Sequence, residues 1–217
     1  MTEQQAAFWD IIEVFNKEDL LPHVMIIGSW AEFIYQHYID SGFIANLKTR
    51  DVDIMYPNLR RPQGDKIRII DSMKEKGFIY DEHRLTGIGK FVKVDLLEVE
   101  FLTRVLGAGE QVNEIPALKL KASGIREINM LASYPLVVEC NSYELKVPEP
   151  EAYILQKLLI NSKRRSEDKK EKDIQSVKNL INHVNKERLR DIYHRMTKKE
   201  QKTIRDVKNE HFIDFEK

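Results

Sequence analysis

The segment Leu47–Pro57, "LKTRDVDIMYP", decides the fold. At a strand's period of two it sets Asp51 and Asp53 on one face, with Val52 and Ile54 on the other. Two carboxylates side by side in an apolar strand repel each other and lose hydration. The pattern therefore needs something between them: water, a lysine or a metal ion.

Upstream, "VMIIG" (24–28) is a short continuous apolar run and predicts a buried strand. It stops at Gly28, and "SWAEFIYQHYI" (29–39) follows with helical spacing at Trp30, Ile34 and Tyr38, ended by Asp40, Ser41 and Gly42. A helix N-terminus offers free N–H groups, a seat for phosphate oxygens. Gly28 permits close backbone approach, and the Ser29 hydroxyl can donate to a phosphate.

Downstream, "FVKVDLLEVEFL" (91–102) reads as one long or bent strand. Glu98 and Glu100 share a face, and Asp95 has the opposite parity. A third acid beside Asp51 and Asp53 is thus expected at Glu100, with Glu98 the second choice and Asp95 the third. Magnesium takes oxygen ligands and bridges carboxylates to substrate phosphates. A phosphate seat beside paired carboxylates suits metal-assisted nucleotidyl transfer, with the carboxylates converging on the metal.

The rest of the chain supplies a frame. Phe8, Ile11, Ile12 and Phe15 mark an amphipathic helix. "DKIRIIDSMKEKGF" (65–78) predicts a helix with Ile67, Ile70 and Met73 inward and Gly77 as its stop. "PLVVECNSYELKVP" (135–148) predicts a hairpin turning at Asn141 and Ser142. From "VPEPEAYILQKLLI" (147–160) onward only helices are expected, with Ile174, Val177, Leu180, Ile181 and Val184 inward and a Thr197–Glu200 capping box. The fold class is α+β: a mixed sheet flanked by helices over residues 1–147, then a helical part over 148–217.

Composition narrows the function. Of 217 residues, 42% are hydrophobic and 32% charged, the balance of a globular protein. Lys+Arg and Asp+Glu are both 35, so net charge points to no polyanionic partner. The distribution is uneven: residues 161–217 hold 17 basic and 11 acidic side chains, the rest 18 and 24. Cys140 is the single cysteine, which excludes an intramolecular disulfide and a cysteine-based zinc site. "MTEQQAAFWD" lacks a signal peptide's basic start and apolar core, and no run approaches ~18 apolar residues. A cytoplasmic protein without a membrane partner is expected. "TGIGK" (86–90) and "LGAGE" (106–110) lack the spacing of a phosphate-binding loop and read as turns. Trp9 and Trp30 read as core.

Gly-Ser, about twenty residues, then T-x-D-x-D and a later acidic strand resemble the nucleotidyltransferase superfamily with the DNA polymerase β type of fold. "LKTRDVDIM" is similar to the motif of the AbiEii-like branch, which includes toxins of toxin–antitoxin systems. "LEVEFLT", "VPEPEAYILQKLLI" and "RRSEDKKEKDIQ" look like related bacterial families of uncharacterised function, over roughly Val24 to Val184. The resemblance implies that Gly28 and Ser29 contact phosphate, and that Asp51, Asp53 and Glu100 are the catalytic metal ligands for Mg²⁺ or Mn²⁺. It implies nucleotide contacts at Lys157, Arg164, Lys172 and Asp173, and at Thr49 and Arg50. Lys157, Asn161 and Arg164 would share one helix face. Relatives carry a basic residue where this chain has Leu47, a place that Lys48 and Arg50 could fill. The implied activity moves an NMP from an NTP to tRNA, protein or a small molecule, with an antitoxin as a further partner. The alternatives are an inactive nucleotide-binding module and an RNA-binding module.

Overall fold

The structure is a computed structural model that describes residues 1–39, 42–47, 49–59, 67–105 and 111–215. Asp40, Ser41, Lys48, the first two residues of the helix expected from 65, and "LGAGE" lie outside the described residues. In chain order the elements are α1 (Glu3–Lys17), β1 (Met25–Ile27), α2 (Ser29–Tyr35), β2 (Asp51–Tyr56), α3 (Ile69–Glu75), β3 (Ile79–Glu82), β4 (Gly89–Lys93) and β5 (Leu97–Arg104). There follow β6 (Gln111–Ile115), β7 (Leu120–Ile125), α4 (Asn129–Ser133), β8 (Pro135–Cys140) and β9 (Tyr143–Pro148). Then come α5 (Pro150–Asn161), α6 (Glu167–Leu180), α7 (Lys186–Arg195) and α8 (Lys198–Glu210).

The mixed sheet is organised around β2 and β5, which are parallel neighbours. β1 lies antiparallel on the other side of β2. The far edge of β5 is shared: β4 pairs with its first half antiparallel and β7 with its second half parallel. β3 and β6 close the two branches, and β8 and β9 form a separate hairpin. Asn141 and Ser142 turn that hairpin with φ of 50° and 65°, the left-handed pair that matches strand twist.

Alternation gives the two faces of β2 and β5 different fates. Val52, Ile54, Tyr56, Val99 and Phe101 are buried in the main core with Phe8, Ile11 and Phe15 of α1. Each such side chain contributes roughly 1.5–3 kcal/mol by leaving water. The same core takes Leu158 of α5, Val177 of α6, Leu189 of α7 and Ile204 of α8. On the opposite face, acids occupy the starts of β2 and β5. Further along, Met25, Met55 and Leu102 form a small second core under Ile128 and Leu131 at α4. The acids are therefore the uncovered part of a face whose other part is sealed.

Four expectations about local structure change. "FVKVDLLEVEFL" is two strands, because Asp95 adopts φ 61° and reverses the chain between β4 and β5. α2 ends at Tyr35, leaving Tyr38 exposed; α3 turns Ile69 and Met73 inward, with Ile67 and Ile70 only partly covered. α5 ends at Asn161, so Arg164 is delivered by the turn after the helix instead of by its third turn. The capping box at Thr197 and Glu200 is present. No described helix is long and apolar enough to cross a membrane.

Candidate active site

Ile27, the last residue of β1, pairs with Asp53, so the chain leaves the strand directly beside that aspartate. Gly28 makes the exit with φ 66°, and a Cβ there would stand 2.5 Å from Asp53 Oδ2. Only glycine meets both demands. Ser29 then opens α2, whose Trp30, Ala31 and Ile34 are buried and fix the helix start above the sheet.

Parallel register sets Asp51 beside Glu98 and Asp53 beside Glu100. All four carboxylates thus project from one face. Their partners separate them. Lys90 Nζ lies 2.7 Å from Glu98 Oε2, and Asp95, in the turn, pairs with exposed Arg50 at 3.6 Å. Asp51, Asp53 and Glu100 line the main cleft, of about 1220 Å³, whereas Glu98, Asp95 and Arg50 do not. Thr49 lines it too; its carbonyl accepts from Gln4 Nε2 at 2.6 Å, tying the loop to α1. Leu47 packs against the core.

The other wall comes from α5 and α6. Lys157 Nζ is 2.8 Å from Asp173 Oδ1, and Arg164 Nε is 2.8 Å from Asp173 Oδ2. The Asp173 side chain is 3% exposed, so one buried carboxylate holds two cations at the cleft surface. Asn161, also buried, donates to the Lys170 carbonyl at 2.9 Å and clamps the turn that carries Arg164. Lys172 lines the same wall, as do Lys163 and Lys169, which sequence reasoning did not single out. Glu32 and Tyr153 were missed as well. The signal for Glu32 was available: a short helix apolar all round is buried, so a glutamate within it must be buried and partnered.

Both walls act on Asp53. Burial, then Glu100 and Asp51, push its carboxyl up to about 6, while Lys157 and Arg164 pull it down. Glu100 is raised in the same direction, first by partial burial and then by Asp51. The excess of negative charge beside an all-oxygen donor set fits a divalent cation such as Mg²⁺. Among the described residues no group of three or more His, Cys, Asp or Glu side chains is gathered into a ready metal cage. The register between β2 and β5 sets Asp51, Asp53 and Glu100 along one wall of the cleft.

The sequence matches the family described as "Nucleotidyltransferase" over residues 7–201. No curated protein matches it. In structure the chain is similar to an antigenic nucleotidyltransferase-like protein from Paracoccidioides brasiliensis, with a TM-score of 0.55 and 14% identity over 97% of this chain and 90% of that one. It is also similar to ANT(2")-Ia in complex with adenylyl-2"-tobramycin, with a TM-score of 0.51 and 16% identity over 88% of this chain and 95% of that one.

Proposed function

The chain belongs to the nucleotidyltransferase family, and from that premise we propose that it transfers an NMP from an NTP to an acceptor hydroxyl in the cleft between β2, β5 and α5. The observation that carries the proposal is the cleft itself, lined by Asp51, Asp53 and Glu100 on one wall and by Lys157 and Arg164 on the other. In this reading residues 1–147 supply the acids and the serine, and residues 148–217 supply the cations.

Asp51, Asp53 and Glu100 would hold Mg²⁺ or Mn²⁺, which when bound offsets charge on the phosphates and on the acids. Ser29 donates to a phosphate oxygen, and Gly28 lets the chain approach it. The acceptor oxygen attacks the α-phosphorus, and the bond from that phosphorus to the bridging oxygen of the β-phosphate breaks. The acceptor proton goes to a carboxylate of the acid wall. Pyrophosphate leaves toward Lys157 and Arg164, which Asp173 aims, with Lys172 and Thr49 beside the tail. Arg50 sits at the rim, paired with Asp95.

The test is label transfer with NTP carrying phosphorus label at the α or the γ position, in Mg²⁺ or Mn²⁺, with total tRNA, lysate protein or small-molecule extract as acceptor. Label from the α position alone, lost in folded Asp53→Asn, is the expected result, and the fraction that becomes labelled names the acceptor. Metal-dependent NTP binding without transfer would replace transferase activity by a binding module. Salt-sensitive RNA binding indifferent to Asp53→Asn would replace it by RNA recognition. A toxin role predicts growth arrest on expression, relieved by an antitoxin and by the same substitution.

A further inference from the structure

Glu32 and Tyr153 lie in the cleft and have no part in the chemistry above. Glu32 is on α2, one turn beyond Ser29, and is 3% exposed. A carboxylate so buried requires a partner. It accepts a hydrogen bond from Tyr153 Oη at 2.6 Å, and Tyr153, on α5, is 1% exposed. One helical turn further, Lys157 Nζ stands 5.3 Å from the centre of the Tyr153 ring. The same ammonium is 2.8 Å from Asp173 Oδ1. An unbroken line of contacts thus runs from the helix that begins at Ser29, through Glu32 and Tyr153, to Lys157 and Asp173.

We propose that the Glu32–Tyr153 pair is a positioning device for the nucleotide's phosphates, fixing the reach of Lys157 from Ser29 across the cleft. The proposal rests on the reading that Lys157 and Arg164 receive the leaving pyrophosphate. A lysine is a point charge on a flexible four-carbon stem, so its placement must come from its surroundings. Asp173 holds the ammonium from one side and the tyrosine ring faces it from another. Donation of the phenol proton to a carboxylate enriches that ring and ties α5 to α2 by a charge-assisted bond. Packing alone would be served at lower desolvation cost by two apolar side chains. The buried acid is explained by what it holds in place.

The test compares binding of ATP, GTP, CTP and UTP, each against its own monophosphate, in Mg²⁺ and without acceptor. It uses the full-length protein and the variants Tyr153→Phe, Glu32→Gln, Lys157→Met and Tyr153→Phe/Lys157→Met, with thermal melts to confirm folding. Tyr153→Phe keeps the ring and removes the bond, whereas Glu32→Gln keeps an acceptor and removes the charge. The expected result is a roughly tenfold loss of triphosphate-over-monophosphate preference in Tyr153→Phe, a smaller loss in Glu32→Gln, and none beyond that of Lys157→Met in the double variant. A merely structural role would weaken both nucleotides alike and leave the ratio unchanged, which would overturn the proposal. Additive losses in the double variant would also overturn it, since Tyr153 would then not act through Lys157. A wild-type protein with no triphosphate preference would remove the pyrophosphate role of Lys157 first, and the positioning role with it. A preserved ratio beside intact preference removes the positioning role alone.

Discussion

On the sheet side of the cleft, Asp51, Asp53 and Glu100 are placed by the backbone ladder between β2 and β5. On the helical side, Lys157 and Arg164 are placed by two ion pairs to one buried carboxylate. The first wall keeps its geometry as long as the ladder pairs. The second keeps it only while Asp173 stays charged and buried. Register gives rigid placement and allows like charges to be held together at a cost; ion pairing gives placement that one substitution can undo.

The largest effect on stability is therefore expected on the helical wall. Asp173→Ala leaves two largely covered cations unpaired and costs about 3–5 kcal/mol in urea unfolding. A loss under about 1 kcal/mol would mean that solvent, not Asp173, holds Lys157 and Arg164.

The sheet wall stores the opposite sign. The Asp53 carboxyl is raised from 3.8 to about 6, so the metal-free folded chain holds a proton that the unfolded chain has released. Stability falls as pH rises through this window, by roughly 2–3 kcal/mol, and does not recover above it. Asp53→Asn should flatten that part of the profile and make the metal-free protein more stable at pH 8. An unchanged profile would show that neither burial nor the neighbouring acids Glu100 and Asp51 raise Asp53.

Gly28→Ala strains both the positive φ and the approach to Asp53 Oδ2. It is expected to cost roughly 1–2 kcal/mol in thermal unfolding and to displace the acid. Wild-type stability in this variant would deny the tight packing of the β1 exit against Asp53. At the small end, Arg50→Ala removes an exposed pair with Asp95 and should change stability by less than about 0.5 kcal/mol. Its NTP affinity should stay near wild type, unlike that of Lys157→Met.

This contrast also governs what was legible in the sequence. Strand period two, applied to "DVDIM" and "LEVEF", put Asp51, Asp53, Glu98 and Glu100 on their faces without any tertiary information. The turn at Asp95 was hidden because apolar residues continue through Val94 and Leu96, and a left-handed aspartate leaves no mark on that pattern. β6 and β7 carry weak alternation, in "QVNEI" and "LKASGI", and owe their pairing to the half-edge of β5 left open by β4. The segment around Asp173 looks like a solvated charge run; its burial depends on a turn, after Asn161, that ends a helix whose periodicity could have run on. Glu32 and Tyr153 are distant in sequence and meet only when tertiary folding brings the two side chains together.

In the proposed reading Glu100, which lines the cleft, and not Glu98, which shares its face but is engaged by Lys90, is the third acid. Transfer of α-label by Glu100→Gln and Glu98→Gln, measured side by side, tests it most directly. A loss of about 10²-fold or more in Glu100→Gln, with Glu98→Gln within roughly threefold of wild type, is the predicted result. An inactive Glu98→Gln beside an active Glu100→Gln would contradict it.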